Sequence, residues 1–250
     1  MNEPGSTNAL AFNNPRVQRL RRLLGRRSSR VEEGAFAVEG ASLVQQAVDA
    51  GWTVEAQFVA PGGQPVACDA PAFTLADGVV ERVASTESPQ PLLAIVQTRD
   101  ARVPAGASLV LVADRLGDPG NAGTMIRSAE AAGADAVVLT PGSVDPYNPK
   151  VVRASAGSLF RVPVVSAALG DVALRRLGTS SHHGDDYTAV DLTAPVALVI
   201  GNEAHGLADD AAVDGWVSIP AAVESLNAAM AATLLLFEAA RQRRAAGHHH

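Results

Sequence analysis

Two short runs of purely aliphatic residues, Leu109–Ala113 and Val196–Ile200, restrict the fold more than any other feature of the sequence. Continuous apolar runs of this length are typical of strands that are buried on both faces of a parallel sheet. A loop rich in glycine and polar residues follows each run. The first loop, 114–123, leads to a helix predicted over 124–132 and a strand predicted over 136–139, which together form a βαβ unit. The sequence therefore predicts an α/β fold with a parallel sheet and a ligand site at the carboxyl ends of its strands.

The composition bounds the class of protein. The chain has 250 residues, of which 47% are hydrophobic, so a sizeable core is expected. No apolar run reaches the roughly 18 residues that a membrane span needs, and the N-terminus lacks the pattern of a signal peptide. Cys68 is the only cysteine, which excludes an internal disulfide and fits a reducing cytoplasm. Residues 248–250 are three histidines that resemble a tag remnant, and without them too few histidines remain to predict a metal site.

A net charge of −6 argues against nucleic-acid binding, but the charge is unevenly distributed. Residues 14–28 have helical spacing, with four apolar residues on one face. Seven arginines fall within a stretch of 15 residues that begins in this segment. They are Arg16, Arg19, Arg21, Arg22, Arg26, Arg27 and Arg30. No acid lies among them, which favours a phosphate-contacting face over an ordinary solvated one. Lys150 and Arg153, at the start of a helix predicted over 150–160, are open to the same two interpretations.

The element pattern predicts two domains, at 14–98 and 108–245, joined by a linker at 99–107. The first is a small α/β unit. Its predicted strands are 35–38, 54–59, 72–75 and 92–97, and its predicted helices are 14–28, 41–50 and 77–84. The second domain continues after the βαβ unit with strands at 162–165, 188–190 and 216–219 and helices at 169–177, 207–213 and 225–244.

Three loops of the second domain carry polar side chains of the kind that bind ligands. Asn121 is predicted to cap the helix that carries Arg127, and Glu203 follows a buried strand directly. Ser225 is predicted to cap the last helix, with Asn227 in its first turn. Taken one at a time, each residue is equally explained as a cap or a solvated turn. Neither a Rossmann glycine fingerprint nor a P-loop is present, which argues against a nicotinamide dehydrogenase.

Four segments, taken in order, closely resemble the SpoU branch of the SPOUT RNA methyltransferases. They are Asp118-Pro-Gly-Asn-Ala-Gly-Thr-Met-Ile-Arg127, Asp145-Pro-Tyr-Asn-Pro-Lys-Val-Val-Arg-Ala-Ser155, Leu198-Val-Ile-Gly-Asn-Glu-Ala-His-Gly-Leu207, and Ile219-Pro220 with Ser225-Leu-Asn227. The resemblance covers about residues 107–244. Residues 14–98 are also similar to the L30e-like substrate-binding domain, through Val38-Glu-Gly40 and Leu43-Val-Gln-Gln-Ala47. The resemblance implies a C-terminal parallel-sheet α/β domain with a deep trefoil knot, preceded by a smaller α/β domain.

The resemblance also implies a chemistry. Members of this family act as homodimers and transfer a methyl group from S-adenosylmethionine to an RNA ribose 2′-hydroxyl, leaving S-adenosylhomocysteine and using no metal. By motif position, the implied catalytic residues are Arg127, Asn121, Glu203, Ser225 and Asn227. The implied cofactor-binding residues are Thr140, Leu198, Gly201, Asn202, Ile219 and Leu226. Because guanidinium groups keep their proton at neutral pH, the arginine is open to two roles, as a general base or as an electrostatic stabiliser. The segment 221–224 is shorter than in many relatives, so the pocket lining is expected to differ there.

The reacting 2′-hydroxyl makes RNA, and not DNA, the expected partner. The L30e-like domain implies ribosomal RNA, most specifically 23S rRNA, bound in the cytoplasm and away from membranes. The predicted RNA-binding residues are Arg16, Arg19, Arg21, Arg22, Arg26, Arg27, Lys150 and Arg153. A tRNA ribose methyltransferase and a non-catalytic RNA-binding protein on the same fold are the alternatives.

Overall fold

The computed structural model describes residues 9–84, 86, 88–208 and 210–247, so the predicted tag remnant at 248–250 lies outside the described residues. The chain forms two compact units, and each is described by itself. The first unit runs to Arg99 and also contains Tyr147–Arg153, and the second contains Asp100–Pro146 and the chain from Ala154 onward. No helix of the described part is both long enough and apolar enough to span a bilayer.

The first unit is a four-stranded sheet with helices. Its elements are α1 (Pro15–Gly25), α2 (Arg27–Glu33), β1 (Ala35–Glu39), α3 (Ala41–Asp49), β2 (Val54–Val59), β3 (Ala72–Thr74), α4 (Val79–Val83) and β4 (Leu92–Gln97). The strand order is β1-β4-β2-β3, with β4 antiparallel to both of its neighbours. The apolar face of α1 packs into the core as its spacing predicts, through Val17, Leu20, Leu23 and Leu24.

The predicted helix over 14–28 is two helices. Asn14 caps α1 by accepting a hydrogen bond from the backbone N–H of Arg16 at 2.9 Å, and Pro15 occupies the first position. The helix ends at Gly25, and Arg26 is extended, with φ −125° and ψ 119°. Glycine in a helix is conformationally costly, which explains why the chain turns here and begins α2.

The segment Tyr147–Arg153 packs with the first unit, although its sequence position predicted the second domain. The Tyr147 ring lies 4.6 Å from the Phe36 ring and 6.5 Å from the Trp52 ring, measured between centroids. Arg153 approaches the Glu39 carboxylate at 3.7 Å. The aromatic contacts explain why this excursion returns to the first unit, since they bury ring surface that would otherwise face water.

The second unit is built on a seven-stranded, fully parallel sheet of order β7-β6-β5-β10-β8-β11-β9. Its strands are β5 (Leu109–Ala113), β6 (Ala136–Leu139), β7 (Val164–Ser166), β8 (Arg175–Ser180), β9 (Asp185–Asp186), β10 (Val196–Ile200) and β11 (Gly215–Ser218). Its long helices are α5 (Pro119–Ala132) and α7 (Ala228–Ala245), while α6 (Pro149–Ala154) spans the boundary of the units. The predicted parallel α/β architecture is confirmed.

Four predicted elements of this unit are wrong. The helix predicted over 169–177 is a single 3-10 turn, Leu169–Asp171, followed by β8. The strand predicted at 188–190 is a turn, and no regular helix forms in the described part of 207–213. The helix predicted over 150–160 stops at Ala154, because Ala156 and Gly157 both have positive φ.

The strand order positions the candidate site. Strands β5, β10, β8 and β11 are consecutive neighbours and run in one direction, so their carboxyl ends lie side by side at one edge of the sheet. The loops that follow β5, β10 and β11 are the three that carry the predicted site residues.

Candidate functional site

The loop after β5 leads into α5 earlier than predicted. The helix begins at Pro119, and Asp118 caps it by accepting a hydrogen bond from the backbone N–H of Asn121 at 2.7 Å. The prediction that Asn121 is the cap is therefore wrong. The Asn121 side chain lies in the first turn and is available for contacts outside the helix. A Cβ on Gly123 would lie 2.4 Å from the Cβ of Ala154, so glycine is needed there for close packing.

The loop after β10 presents Glu203 at a tight turn. The backbone groups of Asn202 and Gly206 bond to each other in both directions, at 3.2 and 2.8 Å. A Cβ on Gly201 would lie 2.2 Å from the carbonyl carbon of Gly206, so the turn closes only with glycine at this position. The turn leaves the Glu203 carboxylate directed at the start of α5.

Glu203 accepts three hydrogen bonds from the β5–α5 loop and the first turn of α5. The donors are the Asn121 side-chain amide at 3.1 Å, the Asp118 N–H at 3.1 Å and the Gly117 N–H at 3.3 Å. Burial alone would raise the pKa of the Glu203 carboxyl, but the bond from Asn121 and those from backbone N–H groups outweigh it, and its pKa lies below the ordinary value. The carboxylate is therefore ionised at neutral pH.

The loop before α7 supplies Asn227, which caps that helix. Its Oδ1 accepts hydrogen bonds from the backbone N–H groups of Ala229 at 2.9 Å and Met230 at 3.2 Å. The prediction that Ser225 is the cap is therefore wrong. Ser225 is exposed and forms no hydrogen bond with any described residue. The Nδ2 of Asn227 donates to the Oδ1 of Asn121 at 3.0 Å.

These contacts form one directed chain of hydrogen bonds, which we call the Glu203–Asn121–Asn227 network. An ionised carboxylate only accepts, so Asn121 must present its NH₂ group to Glu203 and its oxygen to Asn227. Asn227 must then present its NH₂ group to Asn121 and its oxygen to the start of α7. The charge state of one residue thus fixes both amide orientations, and each NH₂ group keeps a second hydrogen for a ligand.

Arg127 lies on α5, one turn after Thr124. Its guanidinium is exposed and forms no hydrogen bond or ion pair with any described residue. A cleft of about 310 Å³ opens beside this face of α5. It is lined by Asn121, Thr124, Leu226, Asn227, Ala229, Met230, Thr233 and Leu234. The network therefore borders a concave surface, with a cation close along the same helix.

The residues implied to bind the cofactor fall into two groups. Leu198 is fully buried in the middle of β10, between β5 and β8, where it packs in the core. The hydroxyl of Thr140 accepts from the Arg115 N–H at 2.9 Å, and Asn202 donates to the Arg115 carbonyl at 2.8 Å. Arg115 has φ 51°, so these two bonds hold a backbone conformation that is uncommon for a residue with a side chain.

The second group offers hydrogen-bonding groups to a ligand. Ile219 and Leu226 are half-buried, and their backbone N–H and C=O groups form no hydrogen bond with any described residue. Backbone groups without a protein partner are available to a ligand, and an adenine edge, which carries both donors and acceptors, would complement them. The two residues therefore fit the adenosine part of S-adenosylmethionine.

The loop that ends β8 was missed by the sequence analysis, because a helix was predicted there. It lies at the same sheet edge, between the ends of β10 and β11. In it, the Ser180 hydroxyl lies 3.0 Å from Nδ1 of His183, and the His183 ring packs edge-on against Trp216. Gly178, Thr179 and Ser180 follow an apolar residue, as the polar loops follow β5 and β10, and this pattern could have identified the strand.

The arginines of the first unit do not all serve one purpose. Arg19 pairs with Glu33 at 2.6 Å and with Glu55 at 2.7 Å, and Arg22 pairs with Glu33 at 3.4 Å. The expectation that these arginines lack acidic partners is wrong for both, because α2 and β2 bring carboxylates alongside α1. Arg30 is buried and donates to a backbone carbonyl. The predicted RNA-binding residues that remain exposed are Arg16, Arg21, Arg22, Arg26, Arg27 and Lys150, while Arg153 is half-buried beside Glu39.

Among the described residues, no group of three or more His, Cys, Asp or Glu side chains is arranged to hold a metal ion. The candidate site therefore consists of amides, one carboxylate, one exposed guanidinium and backbone groups at strand ends.

Comparison with known proteins matches two family models to this chain. Residues 108–237 match the SpoU rRNA Methylase family, and residues 14–94 match the MRM3-like substrate binding domain. A 23S rRNA (uridine(2479)-2′-O)-methyltransferase from Streptomyces viridochromogenes is 36% identical, over 92% of this chain and 91% of its own length. The 23S rRNA (guanosine(2553)-2′-O)-methyltransferase RlmP of Bacillus subtilis is 32% identical, over 84% of this chain and 90% of its own.

A solved structure resembles the whole fold. The SpoU methyltransferase AviRb from Streptomyces viridochromogenes, in complex with the cofactor AdoMet, superposes with a TM-score of 0.85 at 32% sequence identity. The alignment covers 93% of this chain and 99% of that one. The similarity therefore extends over both units and is not limited to the motif loops.

Proposed function

We propose, since this chain belongs to the SpoU rRNA Methylase family, that it transfers a methyl group from S-adenosylmethionine to a ribose 2′-hydroxyl of 23S ribosomal RNA. The observation that carries the proposal is the Glu203–Asn121–Asn227 network. It joins three motif loops beside an exposed arginine, and that arrangement positions a substrate and stabilises negative charge.

S-adenosylmethionine, when bound, supplies an activated methyl group on a positively charged sulfur. The backbone groups of Ile219 and Leu226 would hold its adenosine part. Asn202 and Thr140 would support this arrangement indirectly, through the backbone of Arg115. Gly201 would act through the tight turn that it permits. Leu198 would act through packing.

Arg127 would act on the nucleophile. As the 2′-hydroxyl attacks the methyl group, it gives up its proton to water, negative charge develops on its oxygen, and the exposed guanidinium would donate a hydrogen bond to that oxygen. The second amide hydrogens of Asn121 and Asn227 would orient the ribose. Glu203 would keep both amides in the one orientation that leaves these hydrogens available. Ser225 lies in the loop before α7, and we propose no direct contact between its side chain and the RNA or the cofactor.

A general-base role for Arg127 is the alternative, and pH separates the two. A base must lose its proton before it acts, so the rate constant for transfer would rise with pH and the midpoint would shift in Arg127→Lys. A guanidinium that acts as a hydrogen-bond donor gives a rate constant without such a shift, because it stays protonated.

The proposed RNA class rests on the relatives, which are named for 23S rRNA, and on the substrate-binding domain matched at 14–94. Transfer RNA is the competing substrate. Arg16 and Arg21, the exposed arginines of α1 that form no ion pair with any described residue, would supply phosphate affinity together with Lys150. We propose a cytoplasmic location. The free Cys68 would stay reduced in that compartment.

We also propose that the protein acts as a homodimer through its catalytic unit. Met230, Leu234 and Phe237 lie at helical spacing on α7 and are 60%, 42% and 44% exposed. A row of large exposed apolar side chains on a helix is characteristic of a protein interface. Leu234→Glu with Phe237→Glu should convert a dimer to a monomer in sedimentation. A wild-type protein that sediments as a monomer at micromolar concentration would contradict this part of the proposal.

A methyl-transfer assay tests the function. Purified protein with labelled S-adenosylmethionine should label 23S rRNA, and not 16S rRNA or tRNA. A synthetic target RNA with 2′-deoxyribose at the mapped nucleotide should not be labelled. Titration calorimetry should show donor binding. A protein that binds no donor, with or without RNA, would be a non-catalytic RNA-binding protein on this fold.

A further inference from the structure

We infer that the first unit binds an unpaired RNA segment on a surface where three arginines lie against two aromatic rings. This arginine–aromatic surface consists of Phe12, Arg16, Arg21, Phe73 and Arg82. The inference rests on the proposed function in that the bound RNA is taken to be the substrate. It differs from the sequence prediction, which placed the RNA contacts on the run of arginines as a whole.

The surface is assembled from four segments of the first unit. The Arg82 guanidinium carbon, on α4, lies 3.7 Å from the centroid of the Phe12 ring, and that of Arg21, on α1, lies 5.5 Å from the same centroid. The Arg16 guanidinium carbon lies 4.7 Å from the centroid of the Phe73 ring, on β3. All three arginines are exposed, whereas both rings are half-buried against the core. The two rings therefore lie beneath three exposed cations.

Charge separates this surface from the rest of α1. Arg19 and Arg22 are neutralised by Glu33 and Glu55. Arg16, Arg21 and Arg82 form no ion pair with any described residue, and the exposed Glu81 beside Arg82 does not pair with it. These cations stand out in a protein with a net charge of −6. They are complementary to a phosphodiester backbone.

The aromatic rings decide between unpaired RNA and a duplex. A guanidinium held over a ring leaves N–H groups for phosphate oxygens, and both the arginine plane and the ring can stack on a nucleobase. Bases of single-stranded segments stack on arginine planes and aromatic rings, whereas bases of an A-form duplex are inaccessible in this way. A surface that served only phosphate attraction would not need the rings.

Two variants that remove charge test the inference, one on the arginine–aromatic surface and the other at the arginines of α1 that pair with acids. Affinity for a short labelled single-stranded RNA and for its duplex is measured by fluorescence anisotropy at several salt concentrations. The Arg16→Gln/Arg21→Gln/Arg82→Gln variant should bind the single strand at least about tenfold more weakly at moderate salt. Its slope of log affinity against log salt should be smaller by about 2, since each single-strand phosphate contact contributes about 0.7. The control, Arg19→Gln/Arg22→Gln, should stay within about twofold of wild type.

Removal of the rings tests the stacking. Phe12→Leu and Phe73→Leu keep apolar volume in the core, and thermal melting shows whether they fold as wild type. Each should weaken single-strand binding several-fold and leave duplex binding unchanged. If the leucine variants unfold early, the charge variants decide alone.

Three outcomes would overturn the inference. One is equal loss of affinity in the control and the test variants. Another is equal loss for the single strand, the duplex and heparin, which would mark a general polyanion surface. The third is unchanged affinity of the triple variant. Donor binding and methyl transfer are measured in parallel. A protein that transfers no methyl group but loses RNA affinity in the triple variant would refute the proposed function and leave this inference standing.

Discussion

The proposed catalytic site of the second unit and the arginine–aromatic surface of the first unit are built in opposite ways. At the proposed catalytic site every side chain of the network has a partner that is distant in sequence, since Asn121 bonds to Glu203, 82 residues away, and to Asn227, 106 residues away. At the arginine–aromatic surface no carboxylate pairs with the cations among the described residues. Substitutions should therefore be coupled at the proposed catalytic site and additive at the surface.

The largest effect is expected at Arg127, the cation of the proposed catalytic site that lies outside the network. Arg127→Ala should reduce the single-turnover rate of methyl transfer about 10²–10³-fold, because a donor aimed at the developing charge is lost. Donor affinity should be unchanged. Arg102→Ala, an exposed arginine of the same unit, is the control and should transfer at the wild-type rate. A normal rate in Arg127→Ala would exclude both roles considered for Arg127.

The next largest effect is expected within the Glu203–Asn121–Asn227 network, where combined substitutions test whether Asn121 and Asn227 are coupled. Asn121→Ala and Asn227→Ala should each lower activity, and their combination should cost less than the sum of the two, with a coupling energy of about 0.5–3 kcal/mol. Asn227→Asp separates the two tasks of this residue, since aspartate caps α7 but cannot donate to Asn121. It should keep the α7 cap and therefore lose less thermal stability than Asn227→Ala, while activity is lost in both variants. Strictly additive effects in the cycle would show that the three loops act independently.

A smaller effect is expected from the paired face of α1, where Arg19 and Arg22 form ion pairs with Glu33. Glu33→Gln should lower the free energy of unfolding by roughly 0.5–1 kcal/mol in urea denaturation, because it removes partners from Arg19 and Arg22 at the protein surface. RNA affinity should rise slightly or stay unchanged. Weaker RNA binding in this variant would place the contact on the paired face.

The smallest effect is a pH dependence. The pKa of Glu203 in the folded protein lies below the ordinary 4.5, so the ionised network stabilises the fold above that value. The difference in stability between wild type and Glu203→Gln should be constant at neutral pH and should decrease as pH falls below about 4.5. Thermal melting across this range measures it. A difference that grows toward acid pH would mean that the pKa is raised.

Much of the sheet was predictable because its central strands are continuous aliphatic runs. Strand β8 was not, since Arg175 and Arg176 interrupt the apolar pattern. The structure tolerates them because Arg176 bonds to Asp214 outside the strand. The start of α5 was hidden by glycine and proline, which are typical of turns.

The site was predictable as a set of residues through family resemblance, and not as a geometry. Spacing gave no indication that Asn121 joins Glu203 to Asn227, because partners that lie 82 and 106 positions apart are invisible to local patterns. The same limit explains the expectation of unpaired arginines on α1. The segment around Arg19 contains no acid, and the carboxylates come from α2 and β2.

Arg243 has a consequence for how the catalytic unit can be joined to other domains. Its buried guanidinium donates to the hydroxyl and carbonyl of Ser108 and to the carbonyls of Leu192 and Ala194. Burial lowers the pKa of Arg243 despite the nearby Asp135. Ser108 immediately precedes β5, the first strand of this unit, and Arg243 lies in the last turns of α7, so the start of the first strand and the end of this helix are neighbours in space. A partner domain fused at either end would leave from the same side of the unit, and gene fusion could therefore vary the substrate-binding module without rebuilding the catalytic sheet.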